Sequence, residues 1–263
     1  MNNETNNTLT KAERKRIMSF ILQAGTVLLK NGAEVFRVEQ TMQHMALGFG
    51  LTNFNAYVLT NGIFASEEKA EYSQLRNIPR RTIHLGRVAA VNELSRNISQ
   101  HLLTIDEAEK ILDSIKEMSF TSHAKRLLAY ACGSLCFCAL YGGNFLDSLV
   151  SSFAGIILGT YLIYCEKRES TSLFRTFTGA TLVSFICFSL NVIYPLLNAN
   201  HGIIGAYMIL TPGIALTMSI RDIVQTDYLS GIIRMVDALL VAAAIACGTG
   251  LSLMLQRVLV EVI

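Results

Sequence analysis

Charge is what this sequence has least of: Asp, Glu, Lys and Arg make up 16% of 263 residues, against 51% hydrophobic residues and a mean hydropathy of +0.40. That balance excludes an ordinary soluble domain and points to an integral membrane protein. Tryptophan is absent, so the interfacial aromatic belt falls to Tyr130, Tyr141, Tyr164, Tyr194 and Tyr228. A net charge of +2, with no basic patch interleaved with aromatics, sets nucleic-acid binding aside. The opening MNNETNNTLT lacks the apolar stretch of a signal peptide, so the first membrane span is expected to direct insertion. All six cysteines lie within or at the edge of apolar runs, where they act as small hydrophobes, and no disulfide framework is implied. Cys132 and Cys136 share a helical face, but no histidine or carboxylate accompanies them; no metal and no cofactor is expected.

What charge there is lies mostly before residue 127, and the boundary between two regions falls near Ser122 to Arg126. The expected fold is an α+β cytoplasmic domain over 1–122, followed by an all-α membrane domain over 123–263. In the first, Thr10 with Glu13 fits a capping box, and Ile17, Phe20, Ile21, Ala24, Val27 and Leu28 recur at helical spacing until Asn31-Gly32 stops them. A second helix is expected from about Ala33 to Leu47. Asn53 to Leu59 and Ile63 to Ser66 form a hairpin around Thr60-Asn61-Gly62, Glu67 to Pro79 is a loop, and Arg80 to Leu85 is a third strand. Helices follow over Val88 to Ser99 and, from the capping box Thr104 and Glu107, through Met118. No catalytic set assembles here: His44, His84, His101 and His123 have no metal-ligand spacing, and Ser66 beside Glu67 and Glu68 lacks a nucleophile elbow.

The second region offers five spans: Leu127 to Tyr141, Leu146 to Cys165, Leu173 to Tyr194, Ile203 to Ile220 and Met235 to Leu255. Lys and Arg flank alternate loops, with Lys125 and Arg126, then Lys167, Arg168 and Arg175, then Arg221 and Arg234 on one side. The loops Gly142 to Phe145 and Pro195 to Gly202 have none. The positive-inside rule puts the N-terminus in the cytoplasm and the C-terminus outside a multi-pass cell membrane protein. Gly155 and Gly159 make a GxxxG that permits close helix packing.

Of only three prolines, Pro212 interrupts an uncharged run, Ile203 to Ile220, long enough to span a bilayer. Two readings stand open. Thr211 as N-cap and Pro212 as first helical residue would start a second half-helix whose positive end points into the membrane, where transporters hold anionic groups. Alternatively, one continuous helix is kinked there. Ionisable residues are costly in hydrocarbon: Asp147 enters span two, Asp222 closes span four, and Asp237 sits three residues after Arg234 on one face of span five. A structural Arg234–Asp237 ion pair is one reading; a proton carried or gated at Asp222 or Asp237 is the other.

Four segments, AGTVLLKNGAEVFRVE (Ala24 to Glu39), YGGNFLD (Tyr141 to Asp147), LTPG (Leu210 to Gly213) and RDIVQTDYLSGIIR (Arg221 to Arg234), resemble the short form of the threonine/serine exporter family, over nearly the whole chain. The resemblance carries Gly32 and Glu34, with Arg37 and Glu39 in the same cytoplasmic-domain motif, together with Asp147, Pro212, Gly213, Asp222, Gly231 and Arg234. It implies proton-coupled secondary export of threonine, serine or a similar small carboxylate across the lipid bilayer. Thr211, Pro212, Gly213 and Arg234 would bind substrate, and Asp147, Asp222 and Asp237 would couple protons or gate. Long-form relatives have a further, smaller membrane region. A separate small membrane partner subunit is therefore expected to complete the path, a homo-oligomer being the other arrangement. The rivals are a dicarboxylate exporter subunit of succinate type, a membrane-anchored metabolite sensor and a membrane-bound hydrolase; the enzyme reading is disfavoured because no Ser/His/Asp or Cys/His set is visible.

Overall fold

The computed structural model describes residues 9–69, 71–78, 82–166, 168 and 171–262. The chain divides into two compact units: 9–120 together with Asp222–Ser230, and 121–221 together with 231–262. In the first, α1 (Lys11–Lys30) opens on the expected capping box, the Thr10 side chain accepting from the Glu13 amide while Glu13 accepts from the Thr10 backbone. The helix ends at Asn31, where Gly32 takes φ +93° and the amides of Gly32 and Ala33 return to the carbonyls of Leu29 and Leu28. This is the Schellman arrangement, which a left-handed residue makes possible. The motif glycine Gly32 thus ends one helix so that α2 (Val35–Gly48) can start.

Strands β1 (Phe54–Leu59), β2 (Gly62–Glu67) and β3 (Tyr72–Asn77) form an antiparallel sheet in the order β1-β2-β3. The first two make the expected hairpin. Leu59 pairs with Gly62, so Thr60 and Asn61 are the two turn residues, and Asn-Gly does not occupy its centre. The third strand differs from expectation: it is Tyr72–Asn77, within the stretch read as a loop. Residues 82–84 are not strand, and Arg80 lies outside the described residues. A polar edge strand needs only a backbone partner, which β2 supplies from Gly62 to Glu67, so apolar alternation misses it. Helices α3 (Leu85–Ser99) and α4 (Ile105–Glu117) complete the unit, α4 on its own Thr104–Glu107 capping box. Phe20, Leu22 and Leu28 of α1, Met42 and Met45 of α2, Phe54 and Ile63 of the sheet, Leu94 of α3 and Leu112 of α4 share one core.

The second unit contains α5 (His123–Leu140), α6 (Phe145–Glu166), α7 (Ser172–Ile193), α8 (Ala199–Tyr207), most of α9 (Gly213–Val224) and all but the first turn of α10 (Tyr228–Val262). Among the described residues three helices, α6, α7 and α10, are long and apolar enough to cross a membrane. The five expected spans therefore reduce to three by this measure. The segment Leu127 to Tyr141 falls on α5, 18 residues whose first turn carries His123, Lys125 and Arg126. Ile203 to Ile220 is divided between α8 and α9. Large apolar side chains such as Leu140, Phe145, Phe153 and Met254 stand on the surface of the chain, as a bilayer-facing wall requires.

Small residues set how closely these helices approach. A Cβ on Gly155 would lie 2.2 Å from Ser134 Oγ, and one on Gly159 2.2 Å from the Tyr130 ring. The GxxxG face is thus the seam against α5. Gly205 of α8 meets the same seam, its Cβ position 2.4 Å from Ser151 Oγ and 2.6 Å from the Ser134 carbonyl. Gly248 lets α10 approach the Phe177 carbonyl of α7, which a Cβ would reach at 2.5 Å.

Candidate functional site

The YGGNFLD motif is a turn and a lock. Gly142 takes φ +90° and the Gly143 amide returns to the Cys138 carbonyl, ending α5 as Gly32 ends α1. Two residues on, α6 begins. Asp147, in its first turn, is buried. One carboxylate oxygen accepts from the Asn144 amide at 3.0 Å and the other from the Asn198 amide at 2.8 Å. Asn198 is the N-cap of α8. A single carboxylate therefore joins the starts of two helices, both of whose dipoles favour negative charge at that end. His201, which no sequence motif singles out, places Nδ1 3.7 Å from the same carboxylate.

The uncharged run around Pro212 is interrupted. Helix α8 ends at Tyr207, and α9 starts at Gly213. The amide and hydroxyl of Thr211 both donate to the Tyr207 carbonyl, each at 2.9 Å, so Thr211 closes the first half-helix and does not cap the second. Pro212 precedes α9 and does not begin it, its carbonyl accepting the first helical bond from the Leu216 amide at 3.0 Å. The amides of Gly213, Ile214 and Ala215 precede that bond and have no acceptor within the helix. A Cβ at Gly213 would meet nothing within 4 Å. The geometry is that of two half-helices, the second presenting its partially positive end to open space.

Beside the break lies a polar node that sequence reading overlooks. The Tyr207 hydroxyl bonds Ser184 of α7, donates to the Ala180 carbonyl at 3.2 Å and lies 2.6 Å from Thr249 Oγ1 of α10. It links α7, α8 and α10 just before the chain leaves α8. The available signal is a tyrosine inside an uncharged run, four residues ahead of Thr211.

The other candidates are dispersed. Asp222 is buried at the end of α9 and belongs with Asp227 to the first unit, whereas Arg234 and Asp237 are in the second. Arg234 is half-buried; Asp237 is exposed and enters no ion pair with a described residue, so the Arg234–Asp237 pairing is not formed. In the first unit, Glu34 is the N-cap of α2, Arg37 is exposed and Gly32 is the helix stop already described. Glu39 is half-buried, and its carboxyl is raised above the usual range first by burial and then by the Asp227 charge. Among the described residues no group of histidines, cysteines and carboxylates could hold a metal.

Residues 19–256 match the family model described as "Putative threonine/serine exporter". The chain is 23% identical over 254 residues to the "Threonine/serine exporter" of Corynebacterium glutamicum, covering 92% of this chain and 52% of that protein. It is 25% identical over 251 residues to the "Probable threonine/serine exporter" of Mycobacterium tuberculosis, covering 91% of this chain and 46% of that one. The chain thus spans about half the length of these relatives. No solved structure matches it.

Proposed function

Because the chain belongs to the threonine/serine exporter family, we propose that it forms part of a multi-pass cell-membrane exporter that carries threonine, serine or a related small carboxylate outward, driven by the proton gradient. The observation that carries this reading is the interrupted segment. A nine-residue α8 and the part of α9 in the second unit, residues 213–221, together give about 27 Å of helix at roughly 1.5 Å per residue, close to the ~30 Å of a bilayer core. Their junction then falls near mid-depth, and the free amides of Gly213, Ile214 and Ala215 meet a carboxylate there.

The crossings in this reading are α5, α6, α7, the α8–α9 pair and α10, with the N-terminus cytoplasmic and the C-terminus external by charge placement. Thr211 to Gly213 hold the substrate carboxylate and Arg234 is its charge partner or inner gate. Buried Asp222 and exposed Asp237 are the proton carriers. Asp147 acts as the lock that holds α8 in place while substrate passes. The matched relatives carry about as much chain again, so part of the path is assigned to further membrane segments, joined to this chain or supplied by a partner subunit.

Efflux of preloaded labelled threonine and succinate from exporter-deficient cells tests this, with the chain expressed alone or with a candidate small membrane partner and a proton gradient imposed. Gradient-dependent loss of threonine is the expected result, and selective loss of succinate would reassign the substrate to dicarboxylates. Retention of both, with the proteins present in the membrane, would overturn the exporter reading.

A further inference from the structure

In the first unit, well apart in sequence from the interrupted segment, α1, β3, α3 and α4 line a half-open cavity of about 350 Å³, within the range of small-ligand sites. Among the described residues that line it, Lys30, Arg76, Arg87 and Lys116 are cations and none is a carboxylate. Lys116 is partly neutralised, its ammonium 2.9 Å from Asp113 and 2.8 Å from the Gln23 side-chain oxygen. The other three enter no ion pair with a described residue. Arg87 is held in position by neutral groups: its guanidinium donates to the Met118 carbonyl at 2.6 Å and lies 5.4 Å from the centre of the Phe120 ring. Asn31 also lines the cavity. Its side chain is buried, its amide donates to the Val27 carbonyl at 2.7 Å, and its carbonyl oxygen has no donor among the described residues.

Cations gathered in a concave wall focus a positive potential that an anion relieves, and an unmet buried acceptor is costly until a donor reaches it. We propose that this cavity is a binding site for a small metabolite dianion, a phosphomonoester or a dicarboxylate, carrying a hydroxyl or ammonium donor for Asn31. Lys30 and Arg76 attract and seat the charge from the rim, the pre-positioned Arg87 guanidinium forms the floor contact, and Asn31 selects for the donor. The cytoplasmic domain of the exporter then has a ligand of its own, separate from the zwitterion carried through the membrane.

Binding to the purified full chain in mild detergent tests this by calorimetry and thermal shift, using inorganic phosphate, succinate, malate and threonine as probes. The phosphate and dicarboxylate arms separate the two sources of the dianion. Saturable binding of at least one dianion is expected, weakening as salt is raised from 50 to about 300 mM. If dicarboxylates bind, malate should exceed succinate because its hydroxyl reaches Asn31, while net-neutral threonine should not compete. The double variant Lys30→Gln/Arg76→Gln, two substitutions at the rim, should weaken binding roughly tenfold, with its unliganded melting temperature unchanged. Arg76→Gln alone, on the polar edge strand, should show a smaller loss and guards against misfolding of the double variant. No saturable binding of any dianion, or binding equal in parent and variants, would overturn the proposal. Because transport plays no part in the readout, failure of the exporter reading would leave this result standing, and the reverse.

Discussion

Replacing Asp147 with alanine removes the one carboxylate that joins the starts of α6 and α8, and its cost can be worked from two hydrogen bonds. The Asn144 and Asn198 amides donate to it at 3.0 and 2.8 Å, and a bond to a charged group contributes about 1.5–3 kcal/mol. Both donors belong to exposed residues, so water recovers part of the loss and the lower figure applies to each. The expected destabilisation is about 3 kcal/mol for Asp147→Ala. Asp147→Asn keeps one acceptor oxygen but loses the charge that two helix dipoles favour, and should cost about half as much. Without tryptophan the convenient readout is the loss of helical circular dichroism on chemical unfolding of the protein in mild detergent. Hydrogen exchange should localise the effect to α8. An alanine variant within about 0.5 kcal/mol of the parent, the range of an inconsequential surface change, would refute the lock; lost efflux at unchanged stability would place Asp147 in the transport cycle itself.

The α5–α6–α8 seam predicts that Gly205→Leu prevents accumulation in the membrane, because its Cβ would lie 2.4–2.7 Å from Ser151, the Ser134 carbonyl and Cys138, an overpacking that backbone cannot relieve for less than about 3 kcal/mol. Gly250→Ala, with nothing within 4 Å of the new Cβ, should accumulate normally. At Glu39 the folded state raises the carboxyl through burial and then through Asp227, so the native protein binds that proton more tightly than the unfolded chain does. Stability from this group is therefore complete at low pH and falls as pH rises from the ordinary value of 4.5 through the raised folded value. Glu39→Gln should remove the fall, its melting temperature relative to the parent being higher at pH 7 than at pH 4; a pH-independent difference would contradict the sign.

Local signals were most legible where one residue type performs one backbone task. Both capping boxes, the Asn31-Gly32 stop and the hairpin follow from Thr-x-x-Glu, glycine and alternating apolar residues, and all stand in the fold. The pattern failed for β3, since an edge strand takes its identity from the backbone of β2 and Ser73, Gln74, Arg76 and Asn77 give no alternation to read. At the interrupted segment the sequence left both a kinked helix and two half-helices open, with the balance toward the kink. The answer lies in the backbone, whose helical bonding ends with the Thr211 amide on the Tyr207 carbonyl and resumes only with the Leu216 amide on the Pro212 carbonyl. Asp147 is visible as a carboxylate in an apolar region, yet its second partner, Asn198, lies 51 residues on, beyond any spacing argument. The Tyr207–Ser184–Thr249 node is likewise a product of three helices meeting.

The central claim, that the positive end of α9 receives the carboxylate, is tested most directly by Gly213→Val in the labelled-threonine efflux assay. A Cβ there meets no neighbour within 4 Å, which leaves room for the branch, so the protein should fold and accumulate as the parent does, while the added bulk obstructs the amides an anion must approach. Normal membrane abundance with threonine efflux reduced at least tenfold is the predicted result. Parental efflux from Gly213→Val at equal abundance would contradict the claim and move the substrate site away from the interrupted segment.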